Sequence, residues 1–168
     1  MKNKLDFKIY TVSKRRVILL MILLNISFST FIFGQIPYRV KNINVISSSG
    51  PQDLYDFNGT LYFMADNYTN GYEMWKSDGT DSGTVLVKDI IVGAPGSYPQ
   101  AFIGVDSTLF FQANNGSTGY ELWKTDGTSA GTVMVKDIQP GSGTGFVGPA
   151  INYNGTLFFQ ANNGTSGN

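Results

Sequence analysis

The sequence predicts an all-β protein made of antiparallel four-stranded units, each 48 residues long. Two observations carry this reading. Residues 60–90 and 108–138 are identical at 20 of 31 positions without a gap, at an offset of 48, and a third copy opens at Thr156 after the same interval. Short apolar segments alternate with turn clusters, among them Asn58-Gly59 and Asn154-Gly155, the dipeptide best suited to a tight hairpin. A period of this length built from short strands marks one multi-strand unit per repeat.

Residues 1–34 read as a signal peptide. Lys2, Lys4, Lys8, Lys14, Arg15 and Arg16 precede the apolar run at 17–24, a weaker apolar tail reaches Phe33, and cleavage is expected after Gly34. An uncleaved signal anchor is the rival, because residues 17–33 approach the length of a membrane span, although Asn25, Ser27, Ser29 and Thr30 interrupt them. No later stretch is long and apolar enough to span, so no membrane span is expected after signal cleavage. The chain has no Cys, so neither disulfides nor a lipidated cysteine holds it. Its 12 basic and 12 acidic residues balance only through that leader. Residues 35–168 keep six basic and eleven acidic side chains, a surplus that repels phosphate backbones and argues against nucleic acid as a partner.

Residues 35–52 form a lone strand and linker: Val40-Lys41-Asn42-Ile43 echoes Val87-Lys88-Asp89-Ile90 and Val135-Lys136-Asp137-Ile138, the ends of the two units that follow. Repeat 1, residues 53–100, is expected to hold strands at 54–57, 60–65, 72–76 and 85–90. Repeat 2, residues 101–148, copies them at 101–105, 108–113, 120–124 and 133–138. A partial repeat 3, residues 149–168, holds strands at 151–153 and 156–161. In each second strand both faces are largely apolar, as in Leu61, Phe63 and Ala65 against Tyr62 and Met64, which predicts cover on both sides.

The unit size fits the blade of a β-propeller, here an incomplete ring. Thr60, Thr84, Thr108, Thr132 and Thr156 also recur every 24 residues, so a β-solenoid of 24-residue rungs is the alternative. Asn-Gly hairpins require antiparallel neighbours, and a lone leading strand is what a ring needs to complete its last blade; both favour the propeller. In this chain that strand is expected either unpaired or resting beside the first unit.

Tyr120-Glu121-Leu122-Trp123-Lys124-Thr125-Asp126-Gly127-Thr128, and its copy from Glu73 to Thr80 with Met74 in place of Leu, resemble the ELWxxDGT repeat of secreted bacterial proteins, many from the Bacteroidetes. The match covers residues 53–168. The resemblance implies an exported or surface-displayed propeller-like protein, often larger and ending in a sorting domain, in a family without a single established activity.

Without His or Cys the chain lacks the common general base, the thiol nucleophile and the usual zinc ligands. Catalysis would rest on Glu73/Glu121, Asp78/Asp126 or Asp89/Asp137, yet these recur once per unit, as structural devices do. No catalytic, cofactor or metal site is therefore assigned, and no cofactor is expected. Asp78-Gly79 and Asp126-Gly127 are read as turns, and Trp75 and Trp123 as packing between units. Lys76/Lys124 and Lys88/Lys136 are expected to pair with Glu73/Glu121 and Asp89/Asp137 across strands. The Asn-rich loops at 66–71, 114–119 and 162–167 are read as hairpin turns, with calcium as the alternative occupant. The functional expectation is an exported, non-catalytic scaffold that binds an extracellular protein or glycan. The alternative is a scaffold domain of a longer secreted enzyme acting on polysaccharide.

Overall fold

The computed structural model describes residues 37–166 and the backbone of residues 10 and 11; the rest of the expected signal segment lies outside the described residues. These residues form strands and loops with no helix. β1 (Tyr10–Thr11) pairs with β2 (Tyr38–Arg39) in a short ribbon. β3 (Gln52–Phe57), β4 (Thr60–Asp66), β5 (Tyr72–Ser77) and β6 (Val85–Lys88) form one antiparallel sheet in chain order. β7 (Gln100–Val105), β8 (Thr108–Asn114), β9 (Tyr120–Thr125) and β10 (Val133–Lys136) form a second, and β11 (Phe146–Tyr153) with β12 (Thr156–Ala161) a third.

Local sequence sets the turns and the register. Asn58 and Gly59 take φ of 52° and 78°, the left-handed pair that a two-residue hairpin needs, and Asn154 and Gly155 repeat it at 51° and 76°. The central pairings match position for position: Leu61 faces Ser77 and Phe63 faces Trp75, as Leu109 faces Thr125 and Phe111 faces Trp123. Both first pairs, β3–β4 and β7–β8, also shift register near the strand start. There Asp53 and Ala101 adopt positive φ.

The first and second sheets pack face to face. Tyr62, Met74 and Val87 of the first share one buried cluster with Phe102, Leu109, Phe111, Ala113 and Trp123 of the second. On the opposite face of the first sheet, Phe63, Ala65 and Trp75 pack with Ile43 from the N-terminal segment. Tyr62, Phe63, Met64 and Ala65, consecutive along β4, are all buried, so both faces of this strand are covered as its composition predicts.

Three differences from the sequence reading bear on how the sheets are joined. Residues 40–43 are not a strand; the strand lies one step earlier, at Tyr38–Arg39. Of their counterparts at 87–90, Lys88 pairs with Met74 of its own sheet, and no described strand offers residues 40–43 that pairing. The segment instead rests on the first sheet, with Val40 buried, Ile43 against the Trp75 cluster and Lys41 Nζ donating to the Asp81 carbonyl at 2.9 Å. The fourth strands stop at Lys88 and Lys136, short of Ile90 and Ile138, because the chain there turns toward a side-chain acceptor described below. β11 begins at Phe146, before the unit boundary drawn at residue 149.

Candidate functional site

The recurring motif residues divide into three constructions. The first is centred on Glu73 and Glu121, opposite Ala65 and Ala113 on the buried face of the third strands. Both glutamates have no exposed surface. Glu73 accepts from Ser97 Oγ at 2.5 Å and Ile91 N at 3.3 Å. Glu121 accepts from Ile138 N and Gly145 N, each at 3.0 Å, and from Gln139 N at 3.4 Å. Burial pushes the Glu73 carboxyl up to about 7, with the Ser97 and Ile91 donors acting in the opposite direction.

These donors all belong to the connectors that carry the chain from one sheet to the next. Ser97 N donates to Tyr72 O in the first sheet while Ser97 O accepts from Asn114 N in the second, both at 3.0 Å. Gly145 repeats the bridge between Tyr120 O and Asn162 N, and Ser49 O accepts from Asp66 N at 2.9 Å. The connector runs so close over Gly119, at φ of 71°, that a Cβ there would strike the Gly143 carbonyl. Each glutamate is thus the side-chain acceptor that folds a connector onto its sheet, and the lysine partners expected for it are not there.

Two of the four lysines have other acceptors, and Lys124 and Lys136 have none among the described residues. Lys76 Nζ donates to Gly127 O at 2.8 Å and Lys88 Nζ to Thr132 O at 2.7 Å, so both reach from the first sheet to the β9–β10 turn of the second. Asp89 Oδ2 instead accepts from Asn70 Nδ2 at 2.5 Å. A carbonyl in a turn presents a fixed, partly desolvated acceptor, which an ammonium on a long stem reaches readily.

The second construction is the Asp-Gly-Thr turn. Asp126 Oδ1 accepts from Thr128 N at 2.8 Å and Thr128 Oγ1 at 2.7 Å, and Thr128 Oγ1 in turn accepts from Gly131 N at 2.9 Å. Thr132 Oγ1 closes the knot on Thr128 O and Thr125 Oγ1. Asp78, Thr80, Gly83, Thr84 and Ser77 make the same set. The threonine hydroxyl and amide hold the Asp78 and Asp126 carboxyls below the usual carboxylate range. A Cβ on Gly83 or Gly131 would overlap these carboxylates, so a side chain at either position would have to push the aspartate out of the turn. Sequence reasoning identified the aspartates and missed Gly83, Gly131 and the paired hydroxyls, although the recurrence of Gly-Thr at 83–84 and 131–132 was available as a signal.

The third is the Asn-rich loop. Asn67 Oδ1 accepts from Thr69 N and Asn70 N, Asn115 Oδ1 from Ser117 N and Thr118 N, and Asn163 Oδ1 from Thr165 N and Ser166 N. The amide oxygens that calcium would need are engaged by their own loops as side-chain turns. Among the described residues no three acidic side chains converge as a metal-binding group.

Trp75 and Trp123 are both buried, and neither indole N–H has a hydrogen-bond partner among the described residues. Their contribution is therefore packing area, with Trp123 at 6.4 Å from Phe111 in the cluster between the first two sheets. A cavity of about 280 Å³ lies where the N-terminal segment crosses Ser77 and Thr84. No helix among the described residues is long and apolar enough to cross a membrane. No protein-family model, curated protein or solved structure matches the chain.

Proposed function

We propose that this chain is an exported or cell-surface repeat protein of the ELWxxDGT type. Its sheets are read as blades of a propeller, forming a non-catalytic scaffold whose loops bind an extracellular protein or glycan. The observation that carries this reading is the employment of the motif itself: Glu73 and Glu121 hold connectors, Asp78 and Asp126 hold turns, and Trp123 fills the space between sheets. Glycoside hydrolysis by carboxylates uses two carboxyl groups facing a shared cleft, and these carboxylates face the backbone of their own units. Sheets stacked face to face in chain order, each a four-stranded meander where complete, are the arrangement blades adopt. What remains available for recognition is the loop edge, where Tyr68 projects with more than half its surface exposed beside the first Asn turn.

The test is a panel of immobilised polysaccharides and surface proteins probed with the exported chain, alongside product analysis on the same polysaccharides. Saturable binding that Tyr68→Ala weakens and Asp126→Asn leaves unchanged supports the reading. Polysaccharide cleavage abolished by Asp126→Asn or Glu121→Gln would overturn it. Membrane and medium fractionation tests export: the mature chain is expected to begin at Gln35, and retention of residues 17–33 in the membrane would establish a signal anchor.

A further inference from the structure

Two of the hairpin turns match almost residue for residue. Asp56-Phe57-Asn58-Gly59-Thr60-Leu61 joins β3 to β4, and Asn152-Tyr153-Asn154-Gly155-Thr156-Leu157 joins β11 to β12. Both Asn-Gly pairs take the same left-handed conformation and are exposed, and neither asparagine side chain has a hydrogen-bond partner among the described residues. The turns differ in what accepts the glycine N–H. Gly59 N donates to the Asp56 carboxylate and Gly155 N to the Asn152 amide oxygen, each at 3.0 Å. The Asp106 carboxylate lies near the second turn, 3.7 Å from where a Cβ on Gly155 would stand, but the amide is bonded to Asn152. Gly116 N and Gly164 N, which also follow asparagine, donate to the neutral Asn114 and Asn162 side chains, while Asn115 and Asn163 are bound into their own loops. Among these four turns, the β3–β4 hairpin alone sets a carboxylate on the N–H that follows an unbonded asparagine.

We propose that Asn58 is a self-modification site, at which the Gly59 nitrogen attacks the Asn58 side-chain carbonyl carbon with Asp56 as the general base. The base stands within the hydrogen-bond reach that proton abstraction needs. Gly59 carries no Cβ to hinder the nitrogen, and nothing lies within 4 Å of where one would be, so the turn is open to water. The Gly59 proton passes to Asp56 as the new N–C bond forms at Cγ. The bond from Cγ to the side-chain nitrogen then breaks, and that nitrogen leaves as ammonia, taking the proton back from Asp56. Water opens the resulting five-membered imide at either carbonyl, giving aspartate or isoaspartate, and no other co-reactant is consumed. Aspartate fits the hairpin, since Asp106 holds the matching position of the second unit at φ of 51°. Isoaspartate routes the chain through its side-chain carbon and lengthens a two-residue turn, which opposes the pairing of Asp56 with Leu61 and Phe57 with Thr60. Phe57 packs against the cluster shared by the first and second sheets, so the change reaches that junction. This assignment is independent of what the loops bind.

The test is peptide mapping by mass spectrometry of the full chain incubated at neutral pH, with aspartate and isoaspartate at Asn58 and Asn154 counted together over time. Asn58 is expected to convert about tenfold or more faster than Asn154. Asp56→Asn should bring Asn58 down to the Asn154 rate. Asn152 shows that an amide oxygen at this position still accepts the turn N–H, so the variant's thermal unfolding should match the parent. A second measurement needs no variant: in denaturant, where the hairpin no longer holds Asp56 on the amide, the two sites should convert at similar rates. Equal rates in the folded chain, or an Asp56→Asn variant in which Asn58 converts as fast as before, overturns the proposal. A rate ratio that persists in denaturant overturns it as well, by assigning the difference to local sequence alone.

Discussion

The junction between the first and second sheets and the one between the second and third start from nearly the same residues and reach different ends. At the first, Lys88 is half-buried on Thr132 O and Val87 is buried. At the second, Lys136 and Val135 stand in solvent. A recurring residue therefore has no fixed energetic worth. An ammonium bonded to a desolvated carbonyl contributes where an exposed one adds almost nothing, and apolar area counts only when a neighbour removes it from water.

The strongest way to break the filled junction is to empty it. Trp123→Ala should destabilise the chain by about 3–5 kcal/mol, since the ring lies in the cluster shared by both sheets and its loss leaves a cavity. Asp126→Ala should cost much less, because it removes one exposed turn acceptor. Denaturant midpoints compare them, and equal losses would mean that the ring does not join the sheets.

Next in size is the pH response of the connector at that junction. The Glu73 carboxyl is raised by burial from 4.5 to about 7, so the folded chain holds this proton more tightly than the unfolded chain. Its contribution to stability is fully present below about 4.5 and is lost as pH rises to about 7. The loss is on the order of 3 kcal/mol. Glu73→Gln should flatten that decline, while the exposed Asp78 and Asp126 act oppositely, losing their contribution as pH falls through their lowered values. A decline unchanged in Glu73→Gln would assign it to other groups.

The finest contrast is within one residue type. Val87→Ala should cost about 1–2 kcal/mol and Val135→Ala less than about 0.5, because only the first valine is covered. Similar costs would show that the second junction is filled after all.

Much of the fold was legible because the chain repeats itself. A strand copied with its hairpin dipeptide fixes register twice, and the apolar content of residues 60–65 on both faces foretold a sheet covered on both sides. The role of Glu73 was half visible, since it alternates with Trp75 and Ser77 on a face whose residues are all buried. Its partners are the Ser97 hydroxyl and a backbone amide of a connector far along the chain, and an amide leaves no trace in residue identity, so a charge pair with lysine was the expected completion. The same reason hid the carbonyl acceptors of Lys76 and Lys88. Residues 40–43 were misread because identity with residues 87–90 carries strand propensity but not the adjoining strand that makes it a ladder. Gly83 and Gly131 were legible as a recurrence, and only the position of the aspartate oxygens shows what a larger residue there would displace.

The claim on which the rest depends is that motif residues act as fasteners between neighbouring sheets, and lysine reactivity tests it most directly. Under native conditions, limited acetylation read by mass spectrometry should modify Lys76 and Lys88 about tenfold or more slowly than Lys124 and Lys136, because each of the first two is held on a carbonyl of the next sheet. In denaturant the four rates should converge. Equal rates in the folded chain would contradict the account, since they would mean that the first and second sheets are not joined through these contacts.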